Sequence, residues 1–419
     1  MWWSERVDSK SPDHQVTRSP NTGLYLHIPF CASICNYCNF NRGLLDEELK
    51  HAYVDALARE IAMRGQGREG AERGIGAPRV TEPGGVQGSP PESIDTIYFG
   101  GGTPSLLDPA EAASLLDACR DAFAVAPAAE ITFEVNPETV DRPKLEAFRE
   151  AGINRLSFGV QSFDDAELAR LDRRHDAARA RQAVADARAA GFDNISLDLM
   201  MWLPGQSTAA WRANVEALIA LAPEHASLYL LEIYPNAPLR EAMARERWSR
   251  APDDDAAEMY EQAMDLLELG GYRQYEISNV ARSGRESRHN VKYWTGGAWH
   301  GLGAGAHGTV GARRWRNIAD SRAYIAAIDE RRLPEAEARA LDDEERLQER
   351  LFMGLRLRQG VDLAALGARH GVDLAARYAG RLDPFVRAGL LDAAAYAVGR
   401  LALTRRGQLL SNEVAAVFV

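Results

Sequence analysis

Strand and helix signals alternate along most of this chain, and that alternation limits the fold more than any single motif does. Short β-rich runs stand at 24–28 (LYLHI), 95–99 (DTIYF), 130–134 (EITFE), 155–159 (RLSFG), 194–199 (NISLDL) and 226–231 (ASLYLL). Helical patterns lie among them at 46–64, 109–123, 142–151, 164–190, 208–221 and 253–270. Asp108, Asp141 and Asp164 are placed to cap helices, and Gly152 and Gly191 follow helices just before a strand. Such repetition means a parallel sheet covered by helices. Six units form an open sheet or a partial barrel, with the active face at the carboxyl ends of the strands.

The distinctive polar groups sit at those ends. Cys31 follows the first run, Gly100-Gly101-Gly102-Thr103-Pro104 the second, and Gln161 the fourth. Glu134 ends the third and Asp198 lies near the end of the fifth. Beyond about residue 310 the pattern turns helical, at 320–331, 342–358, 362–370 and 374–388. The expected organisation is a disordered tail at 1–22, an α/β domain at 23–310 and a small, mostly helical domain at 311–419. The stretch 65–92 is rich in glycine and proline without apolar period, and reads as a disordered surface insertion.

Charge narrows the partners. The chain carries 49 basic and 60 acidic residues, a net −11, which argues against nucleic acid. No apolar run approaches the ~18 residues of a membrane span. The first residues lack an apolar leader, so a cytoplasmic protein is expected, with peripheral membrane contact at most.

Three of the four cysteines, Cys31, Cys35 and Cys38, fall in a C-x3-C-x2-C pattern. Structural zinc wants four ligands. Cys119 lies on an apolar helix face and reads as a core thiol; His27 is the alternative fourth ligand. Three thiolates suit a [4Fe–4S] cluster with one iron left open. The glycine run is not a Walker A loop, because no Gly-Lys-Ser/Thr follows. It reads as a tight turn that also lets a ligand approach the backbone.

The cysteine motif after a first strand, with the glycine run, resembles the radical S-adenosylmethionine (SAM) superfamily. Tyr25-Leu26-His27-Ile28-Pro29-Phe30-Cys31, Glu134-Val135-Asn136-Pro137, Phe158 to Phe163 and Leu203-Pro204-Gly205-Gln206 narrow the likeness to its HemN/HemW group, over residues 23 to 419. The resemblance implies a partial (β/α)6 TIM-type barrel. It implies a [4Fe–4S] cluster on Cys31, Cys35 and Cys38, whose open iron holds SAM and whose electron cleaves it to a deoxyadenosyl radical. SAM would lie against Tyr25, Tyr37, Gly101, Gly102, Thr103, Glu134, Gln161, Arg173 and Asp198. Glu134 or Asp198 would accept from ribose hydroxyls, and Arg173 would fork to the methionine carboxylate.

Two features separate the branches. The coproporphyrinogen III dehydrogenase branch carries a further cysteine where this chain has Phe40. The haem-chaperone branch carries His-Asn-x-x-Tyr-Trp, here His289-Asn290-Val291-Lys292-Tyr293-Trp294. The resemblance therefore implies a haem chaperone, with His289 as haem contact and respiratory haemoproteins as recipients. The alternative is oxygen-independent decarboxylation of coproporphyrinogen III, with porphyrinogen as ligand and an unidentified electron donor. His300 and His307 are secondary haem candidates. In one departure, Met201-Trp202-Leu203-Pro204 places a tryptophan where the group has glycine, which is expected to remodel the rim.

Overall fold

The computed structural model describes residues 16, 19–66, 91–235, 237–249 and 253–419. Most of the expected tail and most of the expected insertion lie outside the described residues.

All six expected strands form: β1 (Thr22–Ile28), β2 (Ser93–Gly101), β3 (Ala124–Val135), β4 (Arg155–Gln161), β5 (Ile195–Met201) and β6 (His225–Leu230). They pair in that order, each parallel to the next. Beyond β6 the sheet adds β7 (Arg273–Gln274) and β8 (Asn279–Ala281), antiparallel, in the order β6-β8-β7. Beyond β1 it adds β9 (Trp299–Leu302), parallel, then β10 (His307–Val310), β11 (Arg313–Asn317) and β12 (Glu335–Ala340), antiparallel. β1 and β6 do not pair, so the barrel stays open. The outer strands β11 and β12 carry the sheet past residue 310, where the sequence reading began the helical module.

Alternation along the strands sorts the side chains into two environments. Leu24, Leu26, Ile97, Phe99, Ile131, Phe133, Leu156, Phe158, Leu197 and Leu199 face outward and join one apolar core with the covering helices. The alternate positions hold Tyr25, Thr96, Tyr98, Thr132, Glu134, Arg155, Ser157, Ser196, Asp198, His225 and Ser227. Parallel strands usually read as near-continuous apolar runs. Here one face lines a polar lumen, so the period of two survives.

The helices start and stop where the caps put them. Asp108 and Glu111 form a capping box, and Asp141 accepts from the backbone N–H of Lys144 at 2.9 Å. Gly152 and Gly191 close helices with left-handed φ of 109° and 87°. The run expected as one helix at 164–190 is two, Asp165–Arg170 and Ala177–Ala189. Asp172 takes φ 52° in the break, and Asp176 caps the second helix. A further helix, Pro238–Glu246, had no counterpart in the sequence reading. The C-terminal helices build their own core from Leu347, Leu351, Leu363, Leu374, Tyr378, Leu382 and Phe418, among others. Its Arg356 forks to Glu276 of the barrel at 2.8 and 3.2 Å.

Candidate functional site

Backbone hydrogen bonds clip two loops together at the barrel mouth. The N–H of Gly102 donates to the Ile28 carbonyl at 2.8 Å, and that of Thr103 to the Phe30 carbonyl at 2.7 Å. This sets the glycine turn against the strand end that delivers Cys31. Gly101 has φ 117°, and a Cβ there would fall 2.5 Å from the His27 ring. Thr103 Oγ1 donates to Cys31 Sγ at 3.6 Å, and Arg173 Nη1 to Cys35 Sγ at 3.6 Å. Cys38 N donates to the Cys35 carbonyl at 3.2 Å, and the Arg42 guanidinium caps the Cys38 carbonyl. Asn136 joins the two sulfur donors, giving a hydrogen bond to Thr103 Oγ1 (3.2 Å) and taking one from Arg173 Nη2 (2.8 Å). Burial, and the proximity of Cys38 and Cys35, push the Cys31 thiol up, so a bound cation is needed to hold it as thiolate.

All three clustered cysteines are free thiols, and Cys119 is buried in the core as expected. His27 has both ring nitrogens engaged, one with Tyr25 Oη at 3.1 Å and the other with the Asn41 carbonyl at 2.7 Å. It is therefore not a fourth metal ligand. Gln161 Oε1 and Arg173 Nε are buried at this mouth without partners. Donors aimed at sulfur, a glycine cradle and unsatisfied polar atoms fit an anionic three-thiolate cluster with a polar ligand beside it.

The carboxylates lie just below. Glu134 accepts from Tyr98 Oη at 2.8 Å and from the Gly101 N–H at 3.1 Å. Asp198 accepts from Ser157 Oγ at 3.2 Å. Burial pushes Glu134 up to about 7 and Asp198 up to about 6. The two also repel one another, while Arg155 draws both back. Tyr25 stacks on Tyr98, 6.1 Å between ring centroids. Tyr37 packs with Leu171, Met200 and Leu203, and burial raises its hydroxyl above the usual phenol range.

Arg173 is not the solvated helix residue its sequence neighbours suggest. The break after Arg170 turns it inward, where Nη2 also donates to the Gly159 carbonyl at 2.7 Å. Its Nε is left without a partner among the described residues, while Nη1 and Nη2 already serve Cys35, Asn136 and Gly159, so the expected grip on a carboxylate competes with these bonds. Gln161 takes φ 67° and Trp202 φ 64°. Trp202 thus keeps the left-handed backbone that glycine would adopt, at roughly 1–2 kcal/mol of conformational strain. Gln206 Oε1 holds the turn, accepting from the N–H of Trp202 (2.8 Å) and of Leu203 (3.3 Å). The sequence reading missed Asn136 as the link between sulfur donors, Tyr98 as the Glu134 partner, and Arg155. Arg155 is 2% exposed, and its position in phase with Ser157 was the available signal.

His289 lies at the other end of the lumen. Its helix, Arg288–Thr295, is pinned across the amino ends of the strands. Glu130 accepts from the N–H of Arg288 and of His289, both at 3.1 Å, and Lys292 pairs with Asp95 at 2.5 Å. The His289 ring is fully buried, with Nδ1 hydrogen-bonded to Thr96 Oγ1 and Nε2 to Tyr293 Oη, both at 2.9 Å. Burial lowers its pKa to about 3, so it is neutral. In this arrangement neither nitrogen is open to an iron. Of the secondary candidates, His300 pairs with Glu92 at 3.0 Å, while His307 is exposed on β10.

Comparison with known proteins agrees with this geometry. Residues 87–218 match the Radical SAM superfamily and residues 341–410 the HemN C-terminal domain. The chain is 35% identical to the Bacillus subtilis "Heme chaperone HemW", over 94% of this chain and 98% of that protein. It is 37% identical to the protein of the same name in Mycobacterium tuberculosis, over 94% and 93%. The fold is similar to that of the Escherichia coli structure "Coproporphyrinogen III oxidase (HemN)", with a TM-score of 0.79, 22% identity and coverage of 96% and 91%. Among the described residues, no helix is long and apolar enough to cross a membrane. With its cysteine and glycine loops clipped together at the mouth of an open barrel, the chain belongs to the HemW family of the radical SAM superfamily, a superfamily that implies a [4Fe–4S] cluster and SAM.

Proposed function

We propose that this chain is a haem chaperone that binds haem and passes it to haemoproteins. What carries the reading is the name its relatives share, "Heme chaperone HemW", borne by proteins aligned with nearly the whole chain. The loop position that distinguishes the decarboxylating branch is held by Phe40, 63% exposed, so this chain offers no fourth thiol there. The likeness to HemN carries the fold, and decarboxylation is not the reading favoured.

Cys31, Cys35 and Cys38 would hold the cluster, which supplies the electron and the open iron for SAM. The chain's own residues prepare that site. Thr103 and Arg173 place hydrogen bonds on two sulfurs, which favours the thiolate form. Gly101 and Gly102 give backbone room, Tyr25 and Tyr37 wall the mouth, and Glu134, Asp198 and Gln161 offer acceptors to SAM hydroxyls and amino groups.

The raised carboxyls give this site a pH dependence. Glu134 and Asp198 accept hydrogen bonds best when ionised, so SAM affinity is expected to rise as pH climbs through about 6 to 7. Glu134→Gln should weaken SAM by about tenfold at pH 8 and flatten the upper part of that profile. Calorimetric titration of the cluster-loaded protein from pH 5.5 to 8 checks this; a wild-type affinity independent of pH refutes it. Without SAM the sign reverses. A carboxyl whose folded pKa is raised favours the protonated fold, so stability falls as pH rises from about 4.5 to about 7.

The function itself is tested by titrating haemin into the anaerobically reconstituted chain and then adding an apo-haemoprotein. A Soret band on the chain that transfers to the acceptor supports the proposal. Absence of haemin uptake, or turnover of coproporphyrinogen, rejects it.

A further inference from the structure

A cavity of about 360 Å³ lies where the far end of the His289 helix meets the C-terminal module. That volume is within the usual range of small-molecule sites. One wall is aromatic: Tyr293 and Trp299 meet edge to face, 4.7 Å between centroids, and both are half-buried. Leu341, Met353 and Leu366 add apolar surface from the opposite side.

The remaining lining is cationic. Arg314, Arg346, Arg350 and Arg369 line the cavity, and the acids among its described lining residues are Asp343 and Glu349. Both acids are already committed: Glu349 grips Arg314 through both oxygens at 2.8 Å, and Asp343 pairs with Arg346. Among the described residues Arg369 makes no ion pair, and His370 beside it also lines the cavity. In a chain of net −11, an excess of positive charge around one aromatic hollow selects an anionic, flat, partly apolar ligand.

We propose that this cavity is where the chain holds its haem. The ring would lie against Tyr293 and Trp299, its propionates on Arg350 and Arg369, and its iron toward His370. This rests on the haem-chaperone reading and gives it a place. It also gives the buried His289 a part it can play without leaving its seat. Its Nε2 fixes the Tyr293 hydroxyl at 2.9 Å, so it positions the aromatic wall and is not itself a ligand. Half-open walls suit a cargo that has to leave again.

The test is haemin titration of the cluster-loaded full chain, followed by Soret absorption and resonance Raman spectra. His370→Ala should shift the Soret band and remove the histidine–iron signature. Arg369→Glu, an exposed change, should weaken haemin at least tenfold. Both variants should keep wild-type iron content and SAM affinity. Haemin bound with unchanged spectrum and affinity by both variants overturns the cavity assignment while leaving the chaperone reading intact. A wild type that takes up no haemin overturns the chaperone reading and the cavity with it. A histidine signature lost in His289→Ala but kept in His370→Ala also overturns the assignment.

Discussion

Cys31→Ala is expected to bring bound iron and sulfide to background after anaerobic reconstitution, whereas Cys119→Ala should keep both at wild-type levels. The two thiols are equally cysteine and differ in surroundings. Cys31 ends a short strand, receives a hydrogen bond from Thr103 and shares its loop with Cys35 and Cys38. Removing it leaves two thiolates, which cannot hold three irons of a cubane. Cys119 is fully buried among Leu115, Leu116 and other core residues, and burial pushes its thiol up to about 12, so it stays a neutral core atom. Its loss should cost about 1 kcal/mol of stability, read as a lower melting temperature, with no change in the cluster. Full iron in Cys31→Ala, or none in Cys119→Ala, contradicts the ligand set.

Gly102→Ala should badly damage the barrel mouth. A Cβ there would stand 2.6 Å from the Phe30 carbonyl oxygen, 2.9 Å from that of Ile28 and 3.0 Å from the Phe30 nitrogen. All three are backbone atoms, so no flexible side chain can step aside. The clip between the loops has to open, losing the two hydrogen bonds that join them. Overpacking costs about 1–3 kcal/mol, and each lost bond about 1 kcal/mol more. Thr103 then leaves Cys31, and SAM affinity is expected to fall at least tenfold, with a lower melting temperature. Gly191→Ala is the control. It also has positive φ, 87°, but nothing within 4 Å of its Cβ. It should lose about 1 kcal/mol of stability and keep wild-type SAM binding. Equal SAM loss in both variants would refute the steric account.

The six strands and most of the covering helices were legible because each carries a strong local signal. Apolar residues at alternate positions and an aspartate or glycine at the helix ends are enough to place them. The break at 171–176 was not legible. Ala177 to Ala189 has the composition of a helix, and so does Asp165 to Arg170, so a single periodic run spans both. Asp176 caps the second helix locally, but the inward pull on Arg173, from Asn136, Gly159 and Cys35, comes from contacts distant in sequence. The outer strand β12, EAEARA, was silent for another reason. Its side chains are mostly exposed, so burial imposes no pattern on them. Of the site, the cysteines and the Gly101–Thr103 turn were readable as motifs. The two ends of the lumen were not. Sequence places His289 beside aromatics, but only the fold shows that those aromatics belong to the bottom of the barrel.

That seated helix has a consequence for traffic. Arg288 reaches the Ala128 carbonyl at 2.8 Å, Lys292 the Asn21 carbonyl at 2.8 Å, and the Ser287 N–H meets Tyr275, which in turn holds His225. The helix thereby covers the lumen at the amino ends of the strands, so exchange is left to the cysteine-loop end and to the side where β1 and β6 do not pair. The cavity beneath the C-terminal module lies on the other side of that helix, so cargo held there is exchanged without passing the cluster or SAM.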